Sequence, residues 1–176
     1  HGARVRRYQE LIDNKLLNEY TDLRSLVQSG SQDFSSFPIM NMMNTKFLII
    51  NPGSAQGALV NRSAYGSAWF AQDLVFSANA DEEFTNTLAQ SELKSTVVVR
   101  SDEVNTNQGV SQGSIELRES RPGYWKYKTN NLGDGFAVFS EIYYPKGFQV
   151  SIDGEEVEMT HANYVLRGLS VPAGEH

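Results

Sequence analysis

Three histidines, His1, His161 and His176, are the first residues to weigh for chemistry. Two stand at the ends of the sequence, and none has a second donor at ligand spacing. A zinc site needs three or four converging donors, so no metal is expected. Cysteine is absent, which removes thiolate catalysis, cysteine-bound zinc and disulfides together. No Gly-x-Ser-x-Gly, His-Glu-x-x-His or glycine-rich phosphate loop occurs, and no cofactor is expected. Glu141 lies in an apolar strand pattern, and Asp73 follows Trp69 by four residues. Two carboxylates do acid–base work only when folding brings them within about 5–10 Å of each other. The simpler reading is that both are solvated or salt-bridged.

The rings are the better functional candidates. Trp69, Phe70, Tyr124, Trp125, Tyr127, Tyr143 and Tyr144 are many for a chain of 176 residues. A ring at a surface is a flat platform with, in Tyr and Trp, a polar handle, and it suits the apolar face of a sugar. The candidate ligand-binding residues are Trp69, Tyr124, Trp125 and Tyr143. Tyr124, Trp125 and Tyr143 neighbour turns or alternating polar residues, so exposure is expected of them. The competing reading places the rings in the core.

The elements that must position these rings are mostly strands. Phe136, Val138, Ile142 and Tyr144 alternate with Ala137, Phe139, Glu141 and Tyr143, and both faces are apolar enough for a covered central strand. Tyr144-Pro145-Lys146-Gly147 ends it. Asp153-Gly154 predicts a two-residue hairpin, because a type I′ turn needs φ > 0 at both centres. That loop sets Ile152 opposite Glu155, Val150 opposite Val157 and Phe148 opposite Met159. Phe148, Val150, Val157 and Met159 then share one apolar face, with Gln149, Ser151, Glu156 and Glu158 on the other. A strand over 164–171 follows. Upstream, Ile115, Leu117 and Glu119 alternate, and so do Trp125, Tyr127 and Thr129 beyond Pro122-Gly123. A three-residue loop, setting Leu117 against Tyr127 and Ile115 against Thr129, is preferred to a two-residue one.

Earlier in the chain, Val5, Tyr8, Ile12 and Leu16 predict an amphipathic helix over 3–18, with Arg4, Arg6 and Arg7 near its start. Those arginines read as a solvated basic face, or one toward anionic lipid or an acidic neighbour. A short helix over 22–28 follows, then one capped by Ser36 with Pro38 in its first turn and Met40 and Met43 inward. A buried strand is expected over 46–50, and a loop from 51 to about 66. Within it Asn61-Arg62-Ser63 has the form of a glycosylation acceptor, of little weight without a eukaryotic secretory origin. A strand over 68–78, a helix over 81–93 and a strand over 95–100 form a strand–helix–strand unit.

The predicted fold is α+β: a C-terminal antiparallel β-sandwich preceded by short helices and that small unit. Segments 1–50, 51–113 and 114–176 make one compact domain. A 40% hydrophobic content supplies a core, and a net charge of −6 argues against a nucleic-acid partner. No apolar run approaches a membrane span. The sequence, starting at His1, reads as a piece of a longer chain.

A set of short blocks adds a resemblance. They are Gly2-Ala3 with Arg6-Arg7-Tyr8-Gln9-Glu10-Leu11, Asn41-Met42-Met43-Asn44-Thr45-Lys46-Phe47, and Ala68-Trp69-Phe70. Further on come Phe139-Ser140-Glu141-Ile142-Tyr143-Tyr144-Pro145-Lys146-Gly147, Ile152-Asp153-Gly154, Ala162-Asn163-Tyr164-Val165-Leu166-Arg167 and Val171-Pro172-Ala173-Gly174. In this order, across nearly the whole chain, they resemble the extracytoplasmic C-terminal region of YfhO-like bacterial membrane proteins of Bacteroidetes type. At Ala64-Tyr65-Gly66-Ser67 that family more often has Ala-Leu-Gly-Asn, so no ligand role is carried to Ser67. The resemblance implies a polytopic parent similar to GT-C glycosyltransferases, which use polyprenyl-phosphate sugars on cell-envelope polymers. The catalytic carboxylate of that class lies in loops between early membrane helices, outside this sequence, so no catalytic residue is carried over. The implied setting is the periplasmic face of the inner membrane, with the parent's membrane helices and an envelope glycan as partners. The expected role is acceptor-glycan recognition or bracing of the membrane part, and the fragment itself is not expected to be catalytic. The alternatives are a stand-alone carbohydrate-binding module and a purely structural or assembly domain.

Overall fold

The structure is a computed structural model that describes residues 6–51, 53 and 57–176. The chain divides into two compact units, 1–66 and 67–176.

The first unit opens with helix α1 (Arg6–Leu11), a π turn (Ile12–Leu16) and helix α2 (Leu17–Gln28), which follow without a break. Where two helices were predicted, over 3–18 and 22–28, one continuous run spans both; Val5 and Arg4 lie outside the described residues. The π turn is defined by the Leu17 amide donating to the Ile12 carbonyl, five residues back. That extra residue shifts the apolar stripe. Leu11 and Leu23 become the buried positions rather than Tyr8, Ile12 and Leu16. Arg6 is tied to Glu10 at 2.8 Å across one turn. Gly30, at φ +83°, ends α2 in a Schellman pattern, with the Ser31 amide bonding the Leu26 carbonyl at 3.2 Å.

Helix α3 (Pro38–Met42) has Phe37 rather than Ser36 at its N-cap, and no side chain of its own caps it. The cap comes from α2: the Glu19 carboxylate accepts from the amides of Ile39 at 3.1 Å and Met40 at 2.9 Å. A carboxylate from elsewhere does the work of a local Ser because the helix start presents bare N–H groups and a positive dipole end. Met40 is buried and Met43 only half-buried, while Met42 is fully buried. Leu23, Phe34, Phe37, Met40 and Leu48 form this unit's core.

Strand β1 (Phe47–Ile49) pairs antiparallel with β2 (Ala58–Val60). The expectation of a buried strand here fails. Only Leu48 faces the core, and Phe47 and Ile49 are 66% and 71% exposed, because the ribbon has one covered face. Asn61 is buried with its amide spent on Asn41 Oδ1 and the Thr45 carbonyl, so the asparagine of the acceptor-like triplet is not presented at the surface.

The second unit is α+β with a sandwich-like arrangement of antiparallel sheets. Its predicted first strand breaks at Ala71-Gln72 into β3 (Ala68–Phe70) and β4 (Asp73–Ser77), which join different sheets. β4, helix α4 (Ala80–Ala89) and β5 (Thr96–Arg100) form the expected strand–helix–strand unit, with β4 and β5 parallel. Asn79 caps α4 by accepting from the Asp81 and Glu82 amides.

β6 (Gly113–Arg121) and β7 (Tyr124–Asn131) pair with Leu117 opposite Tyr127 and Ile115 opposite Thr129. The register is the predicted one, reached by another route. The loop has two residues, Pro122-Gly123, and a bulge at Arg118 supplies the offset. β8 (Gly135–Ile142) is central, lying between β3 and a later strand, β12 (Leu166–Val171). After a 3₁₀ turn (Pro145–Gly147), β9 (Val150–Ile152) and β10 (Glu155–Val157) form the Asp153-Gly154 hairpin in the predicted register. Phe148 and Met159 lie beyond its ladder. β11 (Thr160–Ala162) adds an edge to β12, and β13 (Gly174–Glu175) pairs with β7.

The core of this unit gathers Phe70, Ala137, Leu169 and Val171. Ile115, Phe139, Val150, Ile152 and Val157 pack on it from neighbouring strands. Asn163 fastens β5 to the β11–β12 turn. It accepts from the Val98 amide at 2.9 Å, donates to the Leu93 carbonyl at 3.0 Å, and its backbone amide bonds the Val98 carbonyl at 2.8 Å.

Candidate ligand-binding cleft

The candidate rings do not act together. Trp69 sits opposite Val138 in the four-stranded sheet and is 4% exposed, so it has no face to offer a ligand. Tyr143 is half-buried against His161, ring centres 3.8 Å apart, and its hydroxyl lies 3.5 Å from the Met159 carbonyl. It stands in a separate polar group. Glu103 accepts from the His161 amide and approaches its Nδ1, both at 2.9 Å, and Arg100 lies 3.3 Å from the same carboxylate. Burial alone would raise the pKa of Glu103; the His161 hydrogen bonds and charge, with Arg100, outweigh it and hold it below the ordinary value.

Tyr124 and Trp125 do line one cleft of about 540 Å³, enclosed by β7, β8, β12 and the β9–β10 hairpin. The alternation of β7 decides which rings enter. Trp125, Tyr127 and Thr129 point inward, while Tyr124 stands at the lip, 40% exposed, beneath the Arg121 guanidinium at 4.4 Å. Trp125 meets Phe148 at 5.6 Å, and Tyr127 meets Phe139 edge-on at 4.9 Å. The apolar floor is therefore a run of rings contributed by three stretches of chain.

The polar groups Glu141 and Arg167 of the cleft flank a break in the β8–β12 ladder. Leu166 pairs with Ile142 and Arg167 with Phe139, which leaves Ser140 and Glu141 as a bulge. Glu141 lines the cleft beside Phe139, two residues earlier on the same face of β8. Arg167, from the facing strand, donates through Nε to the Ile142 carbonyl at 3.0 Å and lays its guanidinium 3.8 Å over Phe148. Burial pulls the Arg167 pKa down; the charge of Glu141, then that of Tyr127, opposes it. Burial pushes the Tyr127 hydroxyl up. Ser67 opposes this, Glu141 adds to it and Arg167 opposes it. At the far end His176 Nδ1 pairs with Asp153 at 2.7 Å.

Asp73 is exposed on β4 and does not line this cleft, so it forms no carboxylate pair with Glu141 there. Among the described residues no three His, Asp or Glu side chains are placed to hold a metal ion. No described helix is long and apolar enough to cross a membrane. Phe148 and Arg167 escaped the sequence reading. The one available signal was an arginine inside Val165–Val171, a run otherwise suited to a covered strand. What the arrangement can do is bind: rings for an apolar face, a guanidinium and a carboxylate for directed hydrogen bonds. No protein-family model, curated protein or solved structure matches the chain.

Proposed function

We propose that this chain is a non-catalytic extracytoplasmic domain of a polytopic membrane protein resembling polyprenyl-phosphate-sugar-dependent glycosyltransferases of cell-envelope polymers. Its role is to recognise the acceptor glycan, on the periplasmic face of the inner membrane. The observation that carries this reading is the cleft: Tyr124 at its lip, Trp125 facing inward, and Arg167 and Glu141 on its walls. Its volume falls in the range of small-ligand sites, about 300–1,000 Å³. Titration with envelope oligosaccharides, followed through the two tryptophan indole N–H signals, tests it. Saturable shifts at Trp125, with Trp69 unmoved, support recognition; unmoved signals at millimolar sugar oppose it. A stand-alone carbohydrate-binding module would use the same cleft and show the same shifts without any parent.

A second role, bracing the parent's membrane part, is favoured by a different observation. Phe47, Ile49, Ile50 and Val60 are all more than half exposed on or beside the β1–β2 ribbon. Contiguous exposed apolar residues of this kind mark contact surfaces.

A further inference from the structure

Among the described residues Arg167 is the one arginine of the cleft wall, and its terminal nitrogens have no carboxylate partner. The residue is 8% exposed. Nε is used by the Ile142 carbonyl, and the guanidinium plane is covered by Phe148. The two terminal nitrogens make no ion pair within 4.0 Å of a carboxylate among the described residues. Glu141 acts on the guanidinium through charge but is not in salt-bridge contact. The other charged groups lining the cleft are Lys126, exposed on β7, and Asp153 with His176, which satisfy each other.

A guanidinium partly withdrawn from water, with its terminal nitrogens open to the cleft and no counter-ion in contact, gains from a ligand that supplies the charge and the acceptors. Its two terminal NH₂ groups form a planar fork that matches two oxygens of one acid group. The stacking on Phe148 and the Nε bond fix the orientation of that fork before any ligand arrives. Glu141 beside it offers acceptors for hydroxyl groups. The cleft thus combines a ring for a sugar face, acceptors for hydroxyls and a pre-set donor fork for an acid.

We propose that the cleft selects an acidic sugar, one whose carboxylate or phosphate is held by Arg167. This rests on the glycan-recognition reading above and names the ligand class within it. Arg167 binds and orients; no bond is made or broken.

The test is calorimetric titration of the intact chain with D-glucuronate, D-glucose 6-phosphate, D-glucose and inorganic phosphate at low and high salt. The expected result is that an acidic sugar binds about tenfold or more tightly than glucose, the advantage a charged hydrogen bond confers. High salt should narrow that gap. Glucuronate ahead of glucose 6-phosphate assigns the fork to a carboxylate, and the reverse order to a phosphate. Glu141→Gln removes the competing negative charge and weakens an acceptor for hydroxyls, and should widen the preference for acidic sugars over glucose. Arg167→Lys keeps a charge but loses the fork, and should narrow the gap between acidic and neutral sugars. Because Arg167 is structural as well, the wild-type selectivity stands alone as evidence if that variant fails to fold. Equal binding of glucose and glucuronate, with Trp125 shifting for both, overturns the acidic preference and leaves glycan recognition standing. No binding of any sugar overturns both.

Discussion

The guanidinium of Arg167 lies 3.8 Å over the ring of Phe148. The two residues come from different parts of the second unit, the long connection after β8 and the strand β12. Their stacking joins the polar wall of the cleft to its aromatic floor, because Phe148 also meets Trp125.

Replacing Phe148 by leucine keeps apolar bulk and removes the ring. The loss of the cation–π contact is expected to lower stability by about 0.5–2 kcal/mol. It should also move the Trp125 indole signal and leave Trp69 in place. Urea unfolding and the two indole N–H resonances read both effects; an unchanged Trp125 signal would contradict the placement of Phe148.

Glycine at 168 is a steric requirement. A Cβ there would lie 2.4 Å from Cζ of Phe136, which is fully buried, and 3.0 Å from Thr160 Oγ1. Gly168→Ala is therefore expected to cost about 1–3 kcal/mol, the usual penalty for overpacking a core. A urea midpoint equal to that of the wild type would contradict the β8–β12 packing.

Glu19 and Glu103 give pH dependences of opposite sign. Burial raises the Glu19 pKa despite the Met40 and Ile39 amides, which lower it. Folding therefore favours its protonated form. That contribution is complete below the ordinary carboxylate pKa and is lost as pH rises through the raised value. The first unit should become less stable across that mildly acidic window, and Glu19→Gln should flatten the profile. Glu19→Ala leaves two amides at the start of α3 without their acceptors and should cost about 1–3 kcal/mol at any pH. Amide exchange across Ile39 and Met40 is the readout.

Glu103 has its pKa lowered on folding. Its contribution is present above the ordinary carboxylate value and is lost as pH falls through the depressed one. Acid unfolding of the second unit should shift toward neutral pH in Glu103→Gln, and the ring signals of Tyr143 and His161 should move with it. An acid transition unaffected by that change would contradict the Arg100–Glu103–His161 arrangement.

How much of this could be read in advance follows from the range of each interaction. The Asp153-Gly154 hairpin was legible because a two-residue turn and an alternating pattern both act locally and agree. The β6–β7 register was legible from its alternation, but the bulge at Arg118 was not. A longer loop and a bulge produce the same pairing, and only the backbone distinguishes them. The single helix with its π turn was hidden, since one inserted residue shifts the period and imitates two helices. The cap on α3 was missed because Glu19 is some twenty residues away. For the same reason the cleft was only half visible. Trp125 and Tyr124 announce themselves beside a turn, whereas Arg167 and Phe148 acquire their roles only when β12 and the post-β8 connection meet. Trp69 looked equivalent to Trp125 by type, and burial in the central sheet separates them.

The most direct test of the central claim is the titration of the chain with cell-envelope oligosaccharides, read at the indole N–H signals. Recognition by this cleft requires saturable movement of Trp125, a still Trp69, and loss of binding in Trp125→Ala with the fold retained. Movement absent at millimolar sugar, or persisting unchanged in Trp125→Ala, would contradict recognition by this cleft and leave the exposed β1–β2 ribbon as the surface to pursue.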